Sequence, residues 1–374
     1  MHLEHLSCDG LRNLVEVELS PGRRVTLIVG DNGEGKTNLL EAIHLASSLR
    51  PLKQLERQRE LLGEGRERGV IRARFEADGP LPVDIVVEGH GKRATVAGKA
   101  VRDASELWRK VGVVAFLPDE NALVRGGPEL RRRMLDRVAF SLDPGFAVVA
   151  RRFDEALERR NALLKSPRVD VEQLASYDAP YAAAAATLTL ARAAAAHRLA
   201  PRFAAEARAI GGAALDAALR YQAALDDASG DAGMARGHDE LAALALAALG
   251  RAREHDIRRR TTSVGPHHDD VALLTDDRRA RFLASQGEAR ALVLALKLAQ
   301  LRLVTEVRGQ APLLLLDDVA GELDRTRAAR LFGAVDETGA QTFVTATHTS
   351  ALPPLHDAVV VHVRDGRVTP REAA

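Results

Sequence analysis

Apolar positions along this chain change their spacing twice, and the changes mark its organisation. Near the start, Leu3, His5 and then residues 14–19 alternate apolar with polar, which predicts antiparallel strands at a sheet edge. Pro21-Gly22 marks a turn. Val25-Thr26-Leu27-Ile28-Val29 is a short apolar run rich in β-branched residues, as expected of a buried strand. A glycine-rich loop follows, then an amphipathic helix carrying Leu39, Leu40, Ile43 and Leu45, which Pro51 ends. Residues 70–75 and 83–87 alternate like strands about a Gly79-Pro80 turn, and residues 111–116 predict another buried strand. From about Pro128 to Glu254 glycine and β-branched runs thin out, and Ala, Leu, Arg and Glu recur at helical spacing. Gly211-Gly212 and residues 229–233 read as loops within that stretch. Strand-like patterning returns near Thr261, followed by the uninterrupted leucines of residues 313–316 and two further runs at 343–346 and 359–361. A β, helical, β order predicts one α/β head whose halves flank an insertion: residues 1–125, a helical arm at 126–258, and residues 259–374.

Between the strand at 25–29 and its following helix stands Gly30-Asp31-Asn32-Gly33-Glu34-Gly35-Lys36-Thr37, a complete GxxxxGK[ST] phosphate-binding loop. Its glycines let the backbone curl so that successive N–H groups face phosphate oxygens, and the helix adds its positive N-terminal end. Lys36 offers a point charge to the β- and γ-phosphates and Thr37 a hydroxyl to Mg²⁺, so the expected ligand is ATP with Mg²⁺. The leucine run ends in Asp317-Asp318. A buried strand ending at a cleft places Asp317 near the metal ion, and Asp318 where it orients or deprotonates the attacking water. A polar strand end before a turn has the same pattern.

Most of the chain lies between these two motifs, so a large insertion splits one nucleotide site. That is the pattern of ABC-type ATPases of the chromosome-maintenance class, and the expected fold is an α/β ABC-type P-loop head split by a helical arm. Ser285-Gln286-Gly287-Glu288, before a helical run, resembles the ABC signature. There a serine, backbone N–H groups and a helix N-terminus meet the γ-phosphate of ATP on the opposite subunit. A lone Ser-x-Gly-x is also an ordinary helix N-cap. Gly321-Glu322-Leu323-Asp324 resembles the D-loop of this class, and His348 stands where its switch histidine sits.

Longer blocks narrow the resemblance. Gly30 to Ile43 looks like the phosphate loop of the RecF family. Phe116-x-Pro118-Asp119, Leu123-Val124-x-Gly126-Gly127-Pro128 and Arg131-Arg132-Arg133-x-Leu135-Asp136 are similar to that family too. So are Arg160-Asn161-Ala162-Leu163-Leu164-Lys165 and Gly265-Pro266-His267-His268-Asp269-Asp270. His268 replaces a common Arg, Gly321 a common Ser, and Glu288 the Gln of many ABC signatures. The resemblance implies an ATP-dependent homodimer that embraces double-stranded and gapped DNA in recombinational repair and replication restart. It also implies RecR- and RecO-type partners and weak, DNA-stimulated ATP hydrolysis that releases the clamp. Asp318, shorter than the Glu of many ABC transporters, suits a slow timer.

Composition adjusts this picture in three places. Cys8 is the only cysteine, so no internal disulfide is available and no Cys/His spacing suggests zinc. His2, Glu4, His5 and Asp9 interrupt any leader-like apolar stretch, and no run of about 18 apolar residues occurs. A cytoplasmic protein without a membrane partner is expected. A net charge of +1, from 53 basic and 52 acidic residues, requires any DNA-binding cations to be segregated on one surface. Aromatics are only 3% of residues, which disfavours base stacking and favours a duplex held by its phosphates. Arg131 to Arg133, Arg151-Arg152, Arg159-Arg160 and Arg258 to Arg260 are the candidate clusters, although Asp136, Asp154, Glu155 and Glu158 interleave with them as a salt-bridged helix face would. Three other functions share the nucleotide motifs: a transporter ATPase, a long coiled-coil chromosome ATPase and a small-molecule kinase. The long arm, the lack of sustained heptads and Ser285 argue against each in turn.

Overall fold

The uninterrupted apolar runs become the middle of a parallel sheet, because a strand covered on both faces has no side on which polar residues are tolerated. The structure, a computed structural model, describes every residue except 54, 102–103, 213–214, 226–235, 320–322, 354–356 and 371–374. The loop expected at 229–233, the pair Gly321-Glu322 and the tail beyond Pro370 therefore lie outside the described residues. The chain divides into two units, Met1–Asn121 with Glu206–Ala214 and Ser285–Ala374, and Ala122–Ala205 with Leu215–Ala284.

The first unit carries two six-stranded sheets. In one, β3 (Val25–Val29), β8 (Val113–Phe116), β12 (Leu313–Leu316), β13 (Thr342–Ala346), β14 (Ala358–Arg364) and β15 (Arg367–Pro370) take the order β15-β14-β3-β13-β12-β8. All the pairings are parallel except the β14–β15 hairpin. Every residue of β12 and β13 is buried. Truncating Leu315, with 0% exposure, to Ala costs about 2–5 kcal/mol. Strand β14 departs from the expected buried run: it alternates, and Val359 is 39% exposed.

The second sheet of this unit is antiparallel, with β1 (His2–Asp9), β2 (Val17–Leu19), β4 (Arg68–Glu76), β5 (Pro80–Glu88), β6 (Gly91–Val96) and β7 (Lys99–Ala100) in the order β2-β1-β4-β5-β6-β7. Here β4 and β5 alternate buried and exposed, as a sheet with one wet face requires. Gln341 ties the two sheets together. Its amide accepts from Leu3 N (2.6 Å) and donates to Leu3 O (2.9 Å) and Gly22 O (2.7 Å), all in a buried setting. Helix α1 (Lys36–Ser48) follows the phosphate loop, and α2 (Ala104–Trp108) precedes β8.

Helices α3 (Ala122–Arg125), α4 (Pro128–Leu142), α5 (Phe146–Leu164), α6 (Val171–Gly211), α7 (His238–Arg259) and α8 (Ala280–Leu283) build the second unit, with the last turns of α6 counted in the first. A three-stranded antiparallel sheet interrupts them, ordered β11 (Arg278–Arg279), β10 (Asp270–Thr275), β9 (Ala217–Gln222). Nothing in the helical reading of 128–254 predicts β9. Its Ala-Ala-Leu-Arg-Tyr-Gln has no strong strand preference of its own, and pairing with β10 from Asp270↔Gln222 to Thr275↔Ala217 decides its state. The boundaries of the two units differ from the expected ones, and this pairing lies wholly within the second unit. Residues 259–284, expected with the C-terminal half of the head, belong to the second unit, and the expected start at 126 falls at Ala122. The strand expected near Thr261 begins at Asp270.

Buried ion pairs organise this second unit. Arg160, with no exposure, donates to Asp178 (3.0 Å), Asp256 (2.8 Å) and Thr262 Oγ1 (2.8 Å), and Arg253 reaches the other oxygen of Asp178 (2.9 Å). Two arginines against two aspartates leave no net charge, the condition under which a buried cluster is tolerated. Arg192 donates to Asp136 (2.7 Å) and Asp269 (3.1 Å), and Tyr221 also donates to Asp269. Gly265, at φ 133°, passes under the Tyr181 hydroxyl, where an added Cβ would lie 2.1 Å from that oxygen. Beside it, burial pushes His267 down to about 4, so its ring is neutral and its Nε2 pairs with Thr262 O at 2.9 Å.

Candidate nucleotide site

Strand β3 delivers the loop from Gly30 to Thr37 at its C-terminal end, and α1 starts at Lys36. The glycines answer local needs. Gly33 and Gly35 hold φ of 88° and 114°, where a side chain is strained, and a Cβ on Gly30 would lie 2.3 Å from Val363 O. Lys36 Nζ donates to Gly30 O (2.7 Å) and Asp31 O (2.8 Å), so the ammonium lies inside the curl of the loop. Asp31, Asn32 and Gly33 are exposed.

Supports that the motif does not announce hold this curl. Asn13 Nδ2 donates to Gly33 O (3.0 Å) while its Oδ1 accepts from Asn38 (2.8 Å). The turn between β14 and β15 clasps the loop's other side, where Gly366 N donates to Glu34 O (3.0 Å) and Asp365 N to the Glu34 carboxylate. Arg12 Nε pairs with Glu41 on α1 at 2.8 Å. Arg12 and Asn13 lie between the alternating positions at 3–5 and 14–19, so no pattern in the sequence points to them.

The leucine strand brings its acids to the same place. Thr37 Oγ1 donates to Asp317 Oδ1 (3.0 Å) and Oδ2 (2.9 Å), and Thr345 Oγ1 donates to Asp317 Oδ1 (2.8 Å). Asp317 is 4% exposed. Thr345 is reached one step beyond the ladder that pairs Leu316 with Val344, and it is one of two buried threonines in that strand, so its hydroxyl alone did not single it out. Asp318 turns outward at φ 49°, and its N–H donates to Thr345 Oγ1 at 2.8 Å. Burial and then the neighbouring Asp317 raise the Asp318 carboxyl above its ordinary value, and Lys36 opposes them. A hydroxyl and a carboxylate side by side are hard oxygen donors, which suits Mg²⁺ beside a phosphate chain.

Ser285 to Glu288 form a capping box at the start of helix α9 (Gln286–Arg308). Ser285 Oγ accepts from Glu288 N (3.2 Å) and the Glu288 carboxylate accepts from Ser285 N (2.8 Å). Those bonds hold Glu288 below its ordinary value. Asp324 caps helix α10 (Arg325–Thr338) by accepting from Arg327 N at 2.9 Å. Arg327 joins the two helix starts: its guanidinium lies 3.5 Å from Asp324 and 2.7 Å from where a Gly287 Cβ would stand. Among the described residues no hydrogen bond joins Ser285, Gln286, Gly287 or Glu288 to the phosphate loop. His348 is exposed after β13 and hydrogen-bonds to neither Asp317 nor Asp318. The structure thus forms two clusters, Lys36-Thr37-Asp317-Asp318 and Ser285-Glu288-Asp324, with His348 apart.

The arginine clusters separate by burial. Arg131 pairs with Asp270 at 2.8 Å at 2% exposure, and Arg160 lies in the buried cluster above, so neither is available to a phosphate. Arg133 pairs with Glu129, and Arg151 and Arg159 both lie beside Glu155. Among the described residues Arg152, Arg258, Arg259 and Arg260 are exposed and have no acidic partner.

A family model described as an AAA domain matches residues 5–95. DNA replication and repair protein RecF of Anaeromyxobacter dehalogenans is 40% identical over 377 residues, covering 99% of both chains, and that of Myxococcus xanthus 38% over 380 residues, covering 100% of this chain and 98% of its own. A solved structure of the recombination mediator protein RecF-ATP in the RecFOR pathway superposes with a TM-score of 0.87 at 25% identity, over 99% of this chain and 98% of that one. An Smc head bound to a winged-helix domain of ScpA shares the fold, with a TM-score of 0.57 at 14% identity over 98% and 96% of the two chains. No described helix is long and apolar enough to cross a membrane. Likeness of this degree along both chains, with a phosphate loop and an acidic strand end meeting at one place, makes the chain a member of the RecF family of DNA replication and repair proteins.

Proposed function

We propose that this protein is an ATP-dependent DNA-binding switch in recombinational repair and replication restart, and that slow ATP hydrolysis ends its bound state. The observation that carries this reading is the bond between Thr37 and Asp317, which brings the phosphate loop and the acidic strand end together in a chain related to RecF throughout. Lys36 and the loop N–H groups hold the phosphates. Thr37 and Asp317 hold Mg²⁺, which supplies charge neutralisation on the phosphates when bound. Asp318 faces solvent beside Asp317 and takes the proton of the attacking water, and its raised affinity for a proton makes it a better base than an ordinary aspartate. Ser285 and the start of α9 face the nucleotide of a second copy, with Asp324 and His348 completing that contact, so ATP stabilises a homodimer. Exposed arginines, foremost Arg258 to Arg260, meet duplex phosphates at gapped DNA. RecR- and RecO-type proteins are the partners, and recombinase loading at single-strand gaps is the outcome.

Fluorescence anisotropy of a labelled gapped duplex, with and without Mg·ATP, tests the reading. Wild type gains binding with Mg·ATP, Lys36→Met loses that gain, and affinity falls steeply with salt. Nucleotide binding without DNA binding in any state refutes the DNA role and leaves an ABC-type ATPase serving another partner. A turnover above about 10 s⁻¹, the median for ordinary enzymes, refutes the slow timer.

A further inference from the structure

A second cationic cavity lies in the first unit, at the end of the parallel sheet opposite the phosphate loop. Its walls are the β4–β5 turn and the residues that enter β8 and β12, whereas the loop leaves the other end of β3. It is a half-open pocket of about 600 Å³, lined by Arg109, Lys110, Arg308, Gln310 and Asp78 among others. Three cations against one acid give a local charge of about +2, and Gln310 Nε2 already donates to that acid, Asp78, at 3.3 Å. Among the described residues none of the three cations forms an ion pair.

Arg308 shows that the site is built. It occupies the last turn of α9, and its Nη1 is buried without a hydrogen-bond partner. The guanidinium crosses Gly112 so closely that an added Cβ there would lie 2.0 Å from Nη1. It also lies 5.7 Å from the centre of the Trp108 ring, and Trp108 is 6% exposed. Burial alone pulls the Arg308 guanidinium below its ordinary value, with no acid offsetting the loss. Arg308 lines the cavity while its Nη1, packed on Gly112, lacks a partner, and a partly desolvated guanidinium with that deficit favours an anion beside it. A charge of about +2 matches a dianionic phosphoryl group better than a single carboxylate.

We propose that Arg308, Arg109 and Lys110 form a second phosphate-binding site, separate from the nucleotide loop, that takes a phosphoryl group of a free phosphate compound or of a nucleic-acid backbone. It stands whether or not the loop at Gly30 to Thr37 hydrolyses ATP.

The protein carries its own reporter, because Trp108 is its one tryptophan. Inorganic pyrophosphate is titrated into the full chain with the phosphate loop saturated by a non-hydrolysable Mg·ATP analogue, while Trp108 emission and the heat of binding are followed. A saturable change is expected in both. Arg109→Glu with Lys110→Glu, at two exposed positions that leave the fold intact, weakens it about tenfold or more. A short duplex is then added. Competition with pyrophosphate assigns the site to a nucleic-acid backbone, and its absence to a free phosphate compound. No saturable heat or emission change, or the same midpoint in the double variant, overturns the proposal.

Discussion

The hydroxyl of Thr37 donates to both carboxylate oxygens of Asp317 across 280 residues of sequence, so the first turn of α1 and the end of β12 share one polar centre. Thr345 donates to the same carboxylate from β13. Removing the acceptor leaves the hydroxyl hydrogens of part-buried Thr37 and buried Thr345 without an acceptor. Asp317→Ala therefore costs about 1–3 kcal/mol of stability, and adding Thr37→Ala costs less than the sum of the two singles. Urea unfolding of the four proteins of the cycle measures this coupling. Additive costs contradict a shared centre.

Asp318 carries a pH-dependent cost in stability. Its native carboxyl binds a proton more tightly than the unfolded one, because burial and Asp317 raise it. Its contribution to stability is therefore full below the ordinary value of 3.8 and is lost as pH rises through the raised native value. Asp318→Asn escapes that loss, and Asn tolerates the left-handed φ of 49°. The variant melts slightly above wild type at neutral pH, and the gap closes toward acid pH. Its ATP hydrolysis disappears while ATP binding stays. A variant that melts lower at neutral pH contradicts the argument.

Arg159 and Arg160 are sequence neighbours with opposite fates. Arg160→Ala strands Asp178 and Asp256 without their main cation and costs about 3–5 kcal/mol, whereas Arg159→Ala changes stability by less than about 0.5 kcal/mol. Thermal and urea unfolding compare the two, and similar costs rule out the buried cluster as an organising feature.

Exposed cations without acidic partners are the ones free to neutralise phosphates. Arg258→Glu with Arg259→Glu lowers affinity for gapped duplex about tenfold or more and flattens its salt dependence. Mg·ATP binding stays unchanged. DNA anisotropy across a salt series checks both, and an unaltered slope excludes these arginines from the contact.

Cys8 is 3% exposed on β1, and burial, with Asp9 second, pushes its thiol up to about 12. The native protein therefore shows no reaction with a thiol reagent at mildly alkaline pH, and the unfolded chain reacts at this one position. Rapid labelling of the native state contradicts the burial.

Local spacing carried much of the candidate site. The phosphate loop, the Leu-Leu-Leu-Leu-Asp-Asp strand end and the start of α9 are short motifs whose backbone demands are written in consecutive residues, so glycines, a leucine run and a capping serine identify them. Asn13 and Thr345 escaped because each acts on a partner distant in sequence, and Arg327 because it also reaches the Gly287 backbone, forty residues before it. Arg131 and Arg160 were legible as cations, but whether an arginine meets solvent or a buried aspartate is not a local property.

The division follows from the range of the forces. Strand and helix periodicity, the curl of the loop and the family blocks depend on neighbours within a few residues, and the amino-acid sequence determined them by itself. The tertiary structure decided that Ala217–Gln222 is a strand and that residues 259–284 leave the head's second half, because strand pairing is completed by a partner some fifty residues away. It also decided which charges are spent inside the protein, because burial and pairing are set by what the fold brings alongside each side chain.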